Sequence, residues 1–297
     1  NDQKANVTYV EKEGLYLDDA RENTKLTIYP QGQDTSSDGN SKQCWWYVSE
    51  THPILASFGE TVEYTKLKVA TYNIGSCVKL DKSNHASVRN DIVNFIKNNK
   101  IDVCMLQEVD KDCQRTESVD QAKEIAVALG YHYTYVATLE DDWNLTYGTI
   151  TSYGIAIVSK YPITSTDSED LVYGSREPRK LLKAMIDVDG TETAVICTHF
   201  DDSNANEPEY RLESVKVLKT MLDGIDASTP VIFGGDLNQA YAGDETVAIK
   251  ELGEFLNSVT KARYDAKTTM AGTTWYQLDY IFTNALVECG RAKVYTP

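Results

Sequence analysis

Two side chains in the run VIFGGDLNQA, residues 231 to 240, have the types and spacing to address one phosphate or one metal ion. Asp236 and Asn238 stand two positions apart, and in an extended chain that spacing puts a carboxylate and an amide on the same face. Gly234 and Gly235 just before them are expected to let the backbone turn and come close to a ligand at the strand's carboxyl end. Three further apolar runs end in polar residues in the same way: KVATYNIGSC with Asn73, DVCMLQEVD with Gln107 and Glu108, and AVICTHFDD with His199 and Asp201. A fifth run, TWYQLDYIFT, carries Asp279. A sheet holds its strand ends rigid while the loops beyond stay open, which is why α/β scaffolds collect chemistry there. Acids, amides and an imidazole at five such ends point to one shared cleft.

The elements that must position these residues alternate from Lys66 onward, as a layered α/β domain requires. KVATYNI is followed by a helix over HASVRNDIVNFIKNN, with Val88, Ile92, Phe95 and Ile96 on one face. DVCMLQEV is followed by a helix over SVDQAKEIAVALG, with Ile125, Ala126 and Leu129 at helical spacing and Gly130 as its cap. YHYTYVAT, YGIAIVS, KLLKAMIDV and AVICTHF read as strands, EYRLESVKVLKTMLDGI as a helix, VIFGGDL as a strand and ETVAIKELGEFLNS as a helix. The stretches 141–152 and 167–180 read as loops that select substrate. Residues 1–65 differ: NVTYVEKEGLYL, KLTIYP and CWWYVSE are short aromatic-rich strands around the polar loop QGQDTSSDGNSK. They predict a small β-rich accessory segment, in which Trp45, Trp46 and Tyr47 form either its core or a surface for a glycan or protein partner.

In order along the chain, TYNI, LQEVD, YGIAIVSKYPI, EPR, THFD, GGDLN and LDYIF resemble the motifs of the endonuclease/exonuclease/phosphatase superfamily of metal-dependent phosphohydrolases. The resemblance covers roughly residues 67 to 290, and LQEVD followed by GGDLN is its most specific pair. It implies a four-layer α-β-β-α sandwich of two packed mixed sheets over residues 66–297, with the active site at one end of the sheets. It also implies that Glu108 is the main ligand of Mg²⁺ or Mn²⁺, with Asn73 beside it on the metal or the phosphate. Asp236 would orient or deprotonate the attacking water, Asn238 would donate to a phosphate oxygen, and His199 would donate to a nonbridging or leaving oxygen. These assignments suit the chemistry, because Mg²⁺ prefers carboxylate oxygen and needs only one or two protein acids. Arg179 in EPRKLL is a candidate phosphate clamp, since a guanidinium forks onto two oxygens. Arg211, on a helix, reads as a structural ion-pair residue.

The resemblance departs at the carboxyl end. The family ordinarily closes on a Ser-Asp-His stretch, whereas this sequence ends VECGRAKVYTP, and His52, His85, His132 and His199 stand in no such context. Asp279 is the family residue that pairs with that final His, so the expectation is a truncated chain that binds phosphoesters better than it hydrolyses them.

Composition bounds the remaining readings. With 297 residues, 41% of them hydrophobic, the chain can bury one large core plus a small addition, and no apolar run is long enough to span a membrane. A formal net charge of −16 disfavours unspecific tracking along a nucleic-acid backbone, which is driven by Lys and Arg. It does not exclude a phosphoester, because a bound cation and a few arginines supply positive charge locally. Cys77, Cys104 and Cys197 fall in or beside core strands, while Cys44, Cys113 and Cys289 sit in more polar sequence and are candidates for pairing. Sequons at Asn6 and Asn144 and the absence of an initiator Met suggest a processed, extracytoplasmic or secreted protein. The expected function is hydrolysis of a phosphodiester or phosphomonoester of modest size, such as a sugar phosphate, nucleotide or lipid headgroup. The alternatives are a nuclease acting on DNA or RNA, and a noncatalytic binding protein built on a degenerate hydrolase domain.

Overall fold

The computed structural model describes residues 65–77, 85–144, 148–174, 177–202, 209–239, 247–259, 269–271 and 274–287, together with five short strands within residues 7–54. Trp45, Trp46, Cys44, Cys289, the polar loop of residues 31–42 and the carboxyl-terminal residues 288–297 lie outside the described residues. Contacts divide the chain into two units, one within Asn1–Tyr64 and one spanning Thr65–Val287. In the first, β1 (Val7–Val10), β2 (Gly14–Leu17) and β3 (Lys25–Leu26) form an antiparallel sheet, and β4 (Tyr47–Ser49) pairs with β5 (His52–Ile54).

The second unit is the layered domain. Its order is β6 (Val69–Asn73), α1 (His85–Asn99), β7 (Val103–Lys111), α2 (Gln121–Leu129), β8 (His132–Asn144), β9 (Gly148–Ser159) and β10 (Ile163–Leu171). Then come β11 (Arg179–Val188), β12 (Thr191–His199), α3 (Glu209–Asp223), β13 (Val231–Asp236), α4 (Val247–Leu252), β14 (Asn257–Ser258), β15 (Thr269–Ala271), β16 (Thr274–Tyr276) and β17 (Asp279–Thr283). One sheet runs β6-β7-β9-β8 and the other β10-β11-β12-β13-β17-β14. Each is mixed, and each holds one parallel pair, β6 with β7 across α1 and β12 with β13 across α3.

Alternation along the strands builds the layers. In β7, Val103 and Met105 face the second sheet with Ile155 and Ile157 of β9, where they meet Leu182, Ala184 and Ile186 of β11 and Val195 and Cys197 of β12. The intervening Cys104 and Leu106 face outward onto Val88, Ile92 and Ile96 of α1 and Ile125 and Ala126 of α2. In β12, Ala194 and Ile196 likewise turn outward onto Val215, Leu218 and Met221 of α3. Both faces of these central strands are therefore apolar, which produces the continuous hydrophobic runs. The four layers are α, β, β, α. Helix α2 is capped at both ends, with the Asp120 side chain accepting from the Lys123 N–H and Gly130 ending it in the left-handed conformation at φ 71°.

Several local readings are corrected. ETVAIKELGEFLNS is not one helix: α4 ends at Leu252 before Gly253, and Asn257–Ser258 joins the edge of the sheet as β14. TWYQLDYIFT is two strands, β16 and β17, separated by Gln277 and Leu278. The stretch 141–152 belongs largely to the β8–β9 hairpin, and 167–180 contains the end of β10 and the start of β11. Cys113 is fully buried as a free thiol 3.1 Å from the Ser152 carbonyl, so it is not paired, and the described Cys77, Cys104 and Cys197 are free and buried as well. Gly234 and Gly235 do not turn the chain. They lie within β13, where a Cβ on Gly235 would stand 2.0 Å from the Thr198 carbonyl oxygen and one on Gly234 2.7 Å from Met105 Cε. Their smallness serves the approach of neighbouring strands and of the facing sheet.

Candidate active site

The parallel pair in each sheet brings two polar strand ends to the same edge. In the first sheet Asn73 of β6 stands opposite Gln107 of β7, and Glu108 follows. There β7 slips register against β9 between Leu106 and Val109, and Glu108 takes φ 55°. The irregularity separates the roles of two adjacent residues. Gln107 is buried, accepting from Thr71 Oγ1 and pointing its amide at Cys197 Sγ, 3.3 Å away. Glu108 instead meets Asn73. The Asn73 amide nitrogen donates to Glu108 Oε1 at 2.8 Å and to Asp236 Oδ2 at 3.0 Å, while its Oδ1 accepts from the Gly75 N–H. One neutral amide therefore bridges an acid from each sheet.

In the second sheet His199, Asp236 and Asp279 are in register across β12, β13 and β17, so three site residues stand side by side on one row. Asp236 Oδ1 accepts from the Asn238 N–H at 2.9 Å, which holds Asn238 at φ 47°, and the Asn238 amide donates to the Phe200 carbonyl. His199 Nε2 lies 3.9 Å from Asp236 Oδ2. Burial raises the Asp236 carboxyl above the ordinary aspartate range, and the nearby Glu108 charge adds to that, against the opposing hydrogen bonds from Asn73 and Asn238.

Arg179, the first residue of β11, is only 2% exposed. Its Nη1 lies 3.3 Å from His199 Nδ1 and 3.0 Å from Glu177 Oε2, and its Nη2 lies 3.3 Å from Asp202 Oδ1. The guanidinium expected to fork onto a phosphate forks onto carboxylates of its own chain. Burial opposes its charge, but Glu177, Tyr153, Asp202 and Asp201 more than offset this and hold the group firmly protonated. Asp201 has a framework role: its carboxylate accepts from the Gly174 N–H and its backbone carbonyl from Arg211 Nη1, which is how Arg211 serves the structure.

A buried network supports the first-sheet edge. Arg115 donates to both oxygens of fully buried Asp110 at 2.6 and 2.7 Å and to Ser76 Oγ at 3.2 Å, while Gln121 bonds the Asp110 N–H and the Ser76 carbonyl. This clamps the turn after Asn73, in which Gly75, Ser76 and Cys77 all have positive φ. Left-handed backbone at non-glycine residues is strained and persists where surroundings over-determine it. Asp110, Arg115, Tyr153 and Glu177 carry no signal in the spacing of the apolar runs. The Tyr153 hydroxyl is pushed well above its ordinary pKa by burial, then by the charges of Glu108 and Glu177. Glu177 is raised by burial despite Arg179.

Among the described residues no three His, Cys, Asp or Glu side chains gather as a metal cage. The donor set does fit a hard divalent cation, because two carboxylates converge on a single amide and a cation of this kind needs few protein oxygens. Glu108, with Asn73 beside it, would hold it.

Two face-to-face mixed sheets flanked by helices, with acids, an amide and an imidazole gathered at one end, define a four-layer α/β sandwich. Residues 70–297 match the model of the Endonuclease/Exonuclease/phosphatase family, and the chain belongs to that family. No curated protein matches it. Among solved structures it is similar to the mannosyl-6-phosphatase Bt3783 of Bacteroides thetaiotaomicron VPI-5482, at 18% identity and TM-score 0.55 over 74% of this chain and 86% of that one. An endonuclease/exonuclease/phosphatase family protein of Leptotrichia buccalis C-1013-b matches at 18% identity and TM-score 0.57, over 74% and 88% of the two chains. D. rerio TDP2 complexed with single strand DNA product matches at 19% identity and TM-score 0.51, over 73% and 83%. At these identities the likeness speaks for the fold. No helix among the described residues is long and apolar enough to cross a membrane.

Proposed function

We propose that this chain is a divalent-metal-dependent phosphoesterase acting on a phosphodiester or phosphomonoester of modest size. The observation that carries the reading is the Asn73 amide held between Glu108 and Asp236, with His199 3.9 Å from the latter. A cation, Mg²⁺ or Mn²⁺, held by Glu108 with Asn73 would supply Lewis-acid polarisation of a phosphoryl oxygen. Asp236 orients the attacking water and takes its proton, a task that the raised basicity of a buried carboxylate favours. The Asn238 amide keeps a second hydrogen for a phosphate oxygen beyond the one given to Phe200. His199 donates to an oxygen on which charge develops. Asp279 stands beside Asp236 in register, where it would orient an acid/base group at that edge.

The exposed Asp202 and the half-buried Glu177, two acids to the one guanidinium of Arg179, make the approach acidic. That favours a small ester, such as a sugar phosphate, nucleotide or lipid headgroup, over a long polyanion. The named relatives span both kinds, a mannosyl-6-phosphatase and a protein bound to single strand DNA product. Residues 1–65 are proposed as an accessory segment for a glycan or protein partner, on a protein working outside the cytoplasm. The test is a screen of sugar phosphates, aryl phosphodiesters, nucleotides, phospholipids and DNA with Mg²⁺ or Mn²⁺. Turnover of a small ester that is lost in Asp236→Asn supports the reading. Exclusive turnover of DNA moves it to a nuclease, and binding without turnover of any ester refutes it.

A further inference from the structure

We infer that Arg179 fixes His199 in the neutral tautomer that carries its proton on Nε2, so that Arg179 is a positioning residue for the imidazole rather than a clamp for substrate phosphate. The argument starts from what each group is able to do. A guanidinium has only donors and does not lose its proton in a protein. Arg179 Nη1 lies 3.3 Å from His199 Nδ1, with both side chains buried, so a hydrogen bond there requires Nδ1 to accept. Of the three states of an imidazole, only the one protonated at Nε2 alone leaves the Nδ1 lone pair open. The Nδ1–H tautomer and the imidazolium both turn an N–H toward the N–H of a cation.

The consequence falls on the other side of the ring. Nε2 is directed toward the site, 3.9 Å from Asp236 Oδ2, and in this tautomer it presents a hydrogen. His199 is thereby preset as a hydrogen-bond donor that cannot also take the proton of the attacking water, which leaves that task to Asp236. Arg179 itself is held by Glu177 at 3.0 Å and Asp202 at 3.3 Å, which aim its fork. This is the usual logic by which a partner on one ring nitrogen decides the state of the other.

The catalytic part of this inference rests on the proposed phosphoesterase reading; the tautomer does not, and the experiment keeps them apart. The full chain labelled with ¹⁵N-histidine is measured by long-range ¹H–¹⁵N correlation near neutral pH, with His199 assigned from His199→Gln. The expected spectrum shows Nδ1 in the unprotonated range and Nε2 in the protonated range, with the Nε2–H form in at least roughly tenfold excess, as a hydrogen bond from a charged donor gives. In Arg179→Met the excess should fall to a mixture, kcat should fall at least about tenfold with KM nearly unchanged, and Arg179→Lys, which keeps a donor, should restore part of both. A wild-type His199 protonated on Nδ1 overturns the inference without needing any variant to fold. An unchanged tautomer in folded Arg179→Met removes Arg179 from the role, and a raised KM with unchanged kcat returns it to substrate binding. An Nε2–H ring in a chain without phosphoesterase activity sinks the functional reading and leaves the pairing intact.

Discussion

Replacing Glu108 by Gln should stabilise the cation-free protein while removing its response to cations. Glu108 Oε1 and Asp236 Oδ2 both lie within 3.0 Å of the same Asn73 nitrogen, a neutral donor. Oxygens placed that way are at most about 6 Å apart, and two unit charges at that distance repel by about 3 kcal/mol at an effective dielectric near 20. Glu108 is half-buried, so solvent screens part of this, and about 1–2 kcal/mol is expected. The variant keeps an oxygen to accept from Asn73 and loses only the charge. For a domain of this size the gain corresponds to roughly 3–6 °C in Tm. In the wild type, Mn²⁺ at about 100 times its Kd should add about 2.7 kcal/mol, and in Glu108→Gln almost nothing. The assay is a circular-dichroism melt at one fixed pH, first with EDTA and then with graded MnCl₂. A cation-free variant that melts below wild type would show that Glu108 is held by favourable contacts rather than opposed by Asp236. An equal Mn²⁺ response in both proteins would remove Glu108 as the ligand.

Three other outcomes are expected. Gly235→Ala should lose about 3 kcal/mol or more in urea unfolding, because its Cβ would stand 2.0 Å from the Thr198 carbonyl oxygen in the centre of a sheet; a loss under 1 kcal/mol, on the order of a surface change, would contradict this packing. Arg115→Met should cost about 3–5 kcal/mol by leaving the fully buried Asp110 carboxylate uncompensated, while Arg115→Met combined with Asp110→Leu should recover much of it; equal instability of both would show that the charge is not the cause. The Asp236 carboxyl is raised in the folded state, so over the range between its unfolded and folded values the unfolded chain binds fewer protons, and cation-free stability must fall as pH rises through that range. Urea unfolding followed from acid to neutral pH should show this slope in the wild type and lose it in Asp236→Asn; a slope of opposite sign would mean that the carboxylate is favoured by its surroundings.

The residues of the candidate site were legible because strand ends are. Asn73, His199, Asp236 and Asp279 close or open their strands, while Glu108 follows its apolar run at an irregularity inside β7, and a sheet buried on both faces makes such runs continuous and easy to see. Strand β10 was missed for the opposite reason: ITSTDSEDL is an exposed edge whose acids bind Lys180 and Lys183 of β11, and composition alone makes it read as a loop. The short α4 was overextended because helical spacing continues into EFLNS, while pairing of Asn257 and Ser258 with β17 is a tertiary effect. Arg179 is legible as a buried cation of the site, but no spacing reveals that Glu177 and Asp202 converge on it. Tyr153, Asp110 and Arg115 act from inside β9, within β7 and just after it, where their types look like ordinary strand and turn residues.

The two parallel pairs have a consequence for how the molecule comes together. Asn73 and Glu108 close a β-α-β unit within the first sheet, and His199 and Asp236 close another within the second, each a largely local assembly. The hydrogen bond that joins them, from Asn73 to Asp236, spans 163 residues of sequence. Contacts of that separation carry the largest loop-closure entropy and form late. The site is therefore a seam between the two sheets, complete only when their shared apolar core is packed, so a change in that core reaches the Asn73–Asp236 bond without touching either residue.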